Sequence, residues 1–372
     1  MKTITILLLV VCSIRMSYAT HLLGGYIQVK PVAGSTLTYE ITATLYLDEI
    51  RGTAAASAMS SLSLCFGDGQ SAEVFRQSRI LSTNKENSVN TYRMVHTYSG
   101  PGTYTVSTAI VNRTPSLNIP NSSTEQEPLT LSTTFLTTGL SNQTPNLSVS
   151  LTNFTIGLNQ RATLSLQATD TEGDSLVYAL TRPLTSASGT GCTYRAVTAY
   201  QFPNDLSRQG TFKLNSRTGE LIWDAPTQQG YFSVAITVSE YRNGVLISQT
   251  LEEIPLIVVD RPGTPSVIPP YEPALTGTVV TGLPEYRDED VSFSVFPNPV
   301  EDRLQVLIQT SNPSTVSLQL IDAGGRKLHE IAFREAARQH EQVIGMGSLS
   351  PGVYLLQATI AGRVMVQKIL KK

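Results

Sequence analysis

Asp170, Glu172 and Asp174 alternate around Gly173, a spacing that places three carboxylates on one side of a turn. Oxygen donors in that pattern suit a hard cation such as Ca²⁺; a solvated acidic loop between strands is the other reading. Material for catalysis is thinner. From residue 20 to 290 the histidines are His21 and His96. No Gly-x-Ser-x-Gly elbow, His-Glu-x-x-His, phosphate-binding loop or dinucleotide fingerprint occurs. Two acids from distant loops would serve glycoside hydrolysis, which spacing does not test, but small sandwich modules seldom build the cleft it needs. The expectation is a protein that is not an enzyme and has no catalytic residues. Cys65 and Cys192 remain once Cys12 is set aside with the leader. Lying 127 residues apart, they read either as one bridge or as two buried thiols in different domains, and with four scattered histidines they make a poor zinc site.

The elements that position these groups occupy 372 residues, enough for two to three domains. Lys and Arg number 27 against 29 Asp and Glu, so there is no basic face for nucleic acid. Residues 1–19 read as a secretory signal: Lys2, an apolar run from Ile4 to Val11, and small residues before a cleavage point near Ala19. No later segment is long and apolar enough for a transmembrane helix. Residues 20–290 hold 16 basic and 23 acidic side chains, whereas 291–372 hold 9 and 6. Between the two regions, residues 261–290 carry six prolines and read as a linker.

Period-two alternation dominates. Leu37, Tyr39, Ile41, Ala43 and Leu45 share one face, and the pattern returns at Tyr104/Val106, Leu147/Val149/Leu151, Ala162/Leu164/Leu166 and Phe232/Val234/Ile236/Val238. Gly, Pro, Asn and Asp separate these runs. The best helix candidate, Glu330 to Gln342, is weak. The fold class expected is all-β, with tandem Ig-like sandwiches over 20–150 and 151–260 and a small sandwich over 291–372.

Phe66-Gly-Asp-Gly69, followed by His96-Thr-Tyr98 and Gly102-Thr-Tyr104-Thr-Val106, resembles the polycystic kidney disease (PKD) domain family. Ala168 to Tyr178 and Phe212 to Pro226, which includes Trp223, resemble cadherin-like and Ig-like modules of bacterial surface proteins, in which the Trp fills the core. Thr20-His-Leu-Leu-Gly-Gly25, Tyr39 to Asp48 and Ser239 to Val245 resemble gliding-motility-associated surface proteins of Bacteroidetes.

The tail resembles the type A C-terminal sorting domain of the type IX secretion system. The resemblance rests on Pro297-Asn298-Pro299, Asp322 with Gly325-Arg326, Gly352 with Tyr354, and Lys368. It implies that residues 291–372 engage the type IX machinery, that the cargo reaches the surface or medium through the periplasm, and that a cut falls in the Pro-rich stretch. The role expected is adhesion or another surface contact, linked to gliding motility, toward a protein or glycan ligand. The alternative is a carbohydrate-binding accessory of a polysaccharide-degrading system, which Tyr194, Tyr200, Tyr231 and Tyr241 would serve if they shared a face.

Overall fold

The computed structural model describes residues 21–119, 127–137, 141–147, 154–187, 191–277, 279–280, 291–360 and 362–372. The expected export signal over 1–19 lies outside them. Strands account for nearly all the regular structure among the described residues, with two short helices, Thr53–Ala58 and Pro203–Ser207. Among the described residues, no helix is long and apolar enough to cross a membrane.

Alternation over 37–45 gives the strand Thr38–Asp48, whose Tyr39, Ile41, Ala43 and Leu45 are fully buried. It pairs with Leu22–Pro31 on one side and Asn87–Thr97 on the other. Pairing then continues through Ser71–Leu81, Ser61–Cys65, Thr103–Ile110 and Leu129–Leu136. The last of these meets Val245–Val259, which returns to the first strand through Gly25 opposite Glu253. Eight antiparallel strands thus form a closed ring, and one of them comes from far beyond residue 150.

That strand, Val245–Val259, also builds the second core. It pairs along its length with Gly230–Arg242, which pairs with Ser175–Thr181, and its end pairs in parallel with Thr155–Gly157. A three-stranded sheet of Ala162–Ser165, Glu220–Asp224 and Thr211–Leu214 covers the other side. Fifteen extended residues reach about 50 Å, enough to serve two cores in succession. Hydrogen bonding therefore runs unbroken across the expected 150/151 division. Trp223 fills the second core edge-on to Phe212 and Phe232, at 5.7 and 5.0 Å between ring centroids.

Arg113 and Glu253, both buried, pair where the two cores meet. Arg113 also donates to the Leu184 carbonyl at 2.6 Å, and Ser233 Oγ donates to Glu253 at 2.6 Å. Cys65 and Cys192 are bonded, with Cα atoms 5.6 Å apart. Of the two states that sequence leaves open, the bridge is the one found, and the cysteines do not belong to separate domains. They come together because the hairpin Leu184–Ser186 and Tyr194–Ala196 extends the first sheet from Thr130.

Glu252, beside that junction, carries its own pH signature. Its Oε1 accepts Tyr46 Oη at 3.2 Å, while Oε2 is buried with no partner. Burial pushes its pKa from 4.5 to about 8, against the Tyr46 hydrogen bond. Tyr26 and Tyr178 also feel its charge. A carboxyl with a raised folded pKa keeps its full contribution below the unfolded pKa and loses it as pH climbs through the folded one. Wild-type stability should therefore decline between pH 5 and 8 relative to Glu252→Gln. The gap should reach a few kcal/mol, and parallel curves in denaturant melts across that range would refute the burial of this carboxyl.

The Pro-rich stretch is not free along its described part. Gly277 N donates to Leu180 O at 2.6 Å beside a Leu180–Thr276 bridge, and Tyr271 Oη donates to Asp205 at 2.7 Å. Thr276 and Gly277 thereby cover the open edge of Ser175–Thr181 at Leu180, as an exposed edge strand requires. The rest of the expected linker, 281–290, lies outside the described residues.

The C-terminal region is a sandwich with its own core. One sheet holds Val291–Phe296, Arg303–Ser314 and Ala337–Gly345; the other holds Lys327–Ala332, Val316–Asp322, Gly352–Ile360 and Arg363–Lys371. The helix considered over Glu330–Gln342 is instead the end of one strand and much of another. Leu318 pairs with Ile331 and Ile308 with His340, so a sheet partner for each strand overrides a weak helical pattern.

Candidate functional site

Residues spread through the tail meet at one corner of its four-stranded sheet. Asp322 closes a turn: its Oδ1 accepts the amides of Gly324 and Arg326, both at 2.9 Å, and its Oδ2 accepts Arg326 Nε at 3.2 Å. The Arg326 amide, foremost among these donors, holds the Asp322 carboxyl below its ordinary pKa. Gly325 sits at φ +82°, a left-handed position that favours glycine. Asp322 stands opposite Tyr354, and Gly352 stands opposite Lys371. The largely buried Tyr354 donates its hydroxyl to Ser350 O at 2.7 Å.

Asn298 approaches the same final strand from the other sheet. Its Nδ2 donates to Lys368 O at 2.7 Å, and its Oδ1 accepts Leu370 N at 2.9 Å. A side-chain amide here imitates strand pairing between Pro297 and Pro299, which have no N–H to give. Val300 then continues with backbone bonds, donating to Leu370 O at 2.8 Å and accepting Lys372 N at 3.0 Å. Asn298, Gly352, Tyr354 and Lys368 thus lie on or beside the last strand, and the Asp322–Arg326 turn lies one strand farther across the same sheet. The exposed Val353 and Leu370 face each other across the outer side of this corner.

The acidic residues of the second sandwich arrange differently from their spacing. Asp170 and Asp174 come together, and the third carboxylate is Glu240, with one oxygen of each within 4.8 Å of the others. Glu172 turns away to accept Gln143 N at 3.1 Å and the Thr171 hydroxyl. Asp174 is paired with Arg242 at 2.6 Å, and Asp170 Oδ1 accepts the Asp174 amide at 2.6 Å. Glu240 Oε2 accepts Asn142 Nδ2 at 2.7 Å and the Ser248 hydroxyl. Burial first, and then the Asp170 carboxyl, push the Glu240 pKa up to about 9.

Elsewhere, Asp68 folds over its own turn, with Oδ1 accepting Gln70 N at 3.0 Å and Oδ2 lying 2.8 Å from His96 Nε2. The His96 ring stacks on Phe66 at 4.0 Å. This accounts for the sequence pattern there as turn and core packing. The four tyrosines form no common strip. Tyr200 is buried in the second core, Tyr231 lies 4.5 Å beneath the Arg51 guanidinium, and Tyr194 is bonded to Ser132 and Thr105.

Residues 294–372 match the family described as the secretion system C-terminal sorting domain. No curated protein matches the sequence. Solved structures similar to the chain include dimeric latent PorU from Porphyromonas gingivalis, at 12% identity and TM-score 0.20, covering 96% of this chain and 34% of that one. The chain thus spans about a third of the length of that PorU chain. The chicken CNTN1 FN1–FN3 domains match at 9% identity and TM-score 0.15, covering 94% and 99%. The BSP domain of a biofilm-associated protein matches at 9% and 0.15, covering 99% and 69%. The family match identifies residues 294–372 as a type IX secretion C-terminal sorting domain, which indicates export of the chain to the cell surface or the medium.

Proposed function

We propose that the chain is a non-enzymatic surface protein, carried out by its sorting domain, that makes adhesive contacts used in gliding motility. The observation that carries this reading is the pairing of a sorting domain with a braced β-sandwich cargo. That cargo is tied by a shared fifteen-residue strand and by the Cys65–Cys192 bridge. A cargo so constructed holds its loops at fixed spacing, which favours multivalent contact with a surface. A cavity of about 710 Å³ in the second sandwich fits the same reading. The walls include Tyr178, Leu180, Phe212 and Leu275, and its charged groups, Lys213 and Glu272, are paired to each other at 2.6 Å.

Deleting the gene in the native host should reduce attachment to surfaces and spreading of colonies. The full chain should restore both, and a chain ending at Asp290 should restore neither. Unchanged attachment and spreading in the deletion strain would overturn the adhesive reading while leaving export intact.

A further inference from the structure

Asp170 and Glu240 each spend one carboxyl oxygen on donors and turn the other toward the neighbouring acid. Asp170 Oδ2 and Glu240 Oε1 are both buried and receive no donor from any other group, so they meet only each other, and the Glu240 side chain is fully buried. Two acceptor oxygens facing each other in a low-dielectric site repel unless a positive species lies between them. Arg242 does not supply it. Its guanidinium is engaged with Asp174 through Nε and Nη2, at 2.9 and 2.6 Å, and with Asn142 Oδ1 at 2.7 Å. With Arg242 committed to Asp174 and Asn142, the Asp170–Glu240 pair has no cation of its own, so a proton or a metal ion must lie between the two oxygens.

The donor chemistry narrows the ion. Oxygen ligands alone, without sulfur or imidazole, select a hard cation, and an irregular set of carboxylates from separate segments tolerates Ca²⁺ better than the strict octahedron of Mg²⁺. We propose that Asp170, Asp174 and Glu240 bind Ca²⁺. The ion would join the turn at 170–174 to the hairpin strands at Glu240 and Ser248. Through Asn142, which donates to Glu240, it would also hold the segment 141–147 that follows the first ring. Three protein carboxylates are few for Ca²⁺, which takes 6–8 ligands, so water completes the shell and affinity falls in the range of extracellular modules, roughly 10⁻⁴ to 10⁻³ M.

The test is calorimetric titration of the exported protein, stripped with EDTA, with CaCl₂ at pH 7.5, alongside thermal melts. One Ca²⁺ per chain is expected, with a rise in Tm of several degrees at 10 mM CaCl₂. Glu240→Gln and Asp170→Asn should each weaken binding at least tenfold, whereas Glu172→Gln should leave it unchanged. Absence of both heat and Tm shift in the wild type would overturn the proposal. So would a metal-independent rise in Tm on Glu240→Gln without Ca²⁺ binding by the wild type, which would assign a shared proton to the pair. If the variants fail to fold, Tb³⁺ luminescence of the wild type, displaced by Ca²⁺, supports the site, and its absence refutes it.

Discussion

Gly24→Ala unfolds the N-terminal ring. The Cβ that alanine adds would fall inside the van der Waals envelope of the Glu253 carbonyl oxygen, with the Glu253 carbon and Ile254 nitrogen close behind. Those obstacles are backbone atoms of the long shared strand, held on both sides by pairing, so they cannot rotate away as a flexible side chain would. Gly25 beside it makes the residue pair that closes the ring against Glu253. Forcing the strands apart at this point also pulls on the buried Arg113–Glu253 pair, and one buried charge without its partner is strongly destabilising. The expected loss exceeds about 4 kcal/mol, a large share of an ordinary domain's stability. Denaturant melts of Gly24→Ala against Gly100→Ala check this, since a Cβ at Gly100 meets open space and should change stability by less than about 0.5 kcal/mol. Equal melts for the two variants would mean that the ring does not close as described.

Removing the Cys65–Cys192 bridge gives the second large effect. The two cysteines are separated by 127 residues, and cross-linking so long a loop lowers the entropy of the unfolded chain by the equivalent of about 4–5 kcal/mol. The bridge fastens the end of Ser61–Cys65 to the hairpin that extends the first sheet, so its loss frees the contact from within the cargo rather than at its margin. A double Cys65→Ser, Cys192→Ser variant should melt about 10–20 °C lower than the oxidised protein. Reductant should lower the wild type toward the variant and leave the variant unmoved. A wild type indifferent to reductant would show that the bridge does not brace the fold.

Much of this fold is legible from side-chain period and turn chemistry. The alternation over 37–45 marks its strand and its buried face, and the Pro297–Pro299, Asp322–Arg326 and Gly352–Tyr354 groups mark the sorting domain without any knowledge of their geometry. Long-range partnership is the hidden part. Nothing local in Val245–Val259 states that its start belongs to one core and its end to another, because period-two patterning specifies a face and not a neighbour. The same limit hides the bridge, since a cysteine's sequence distance does not reveal which sheet its hairpin extends. For the acidic cluster, spacing in a turn points to Glu172, but that side chain sits at the tip and bonds outward. Glu240 has a signal of its own: it continues the inward series Phe232, Val234, Ile236 and Val238, and an acid at an inward position of a buried strand calls for a partner.

Export by the tail is tested most directly by where the protein resides in its native host, full length and ending at Asp290. Full-length protein should reach the cell surface or the medium, and the shortened chain, folded and stable, should stay in the periplasm. Equal arrival of both outside the cell would contradict this, because residues 291–372 would then be an ordinary terminal domain and export would depend on something else.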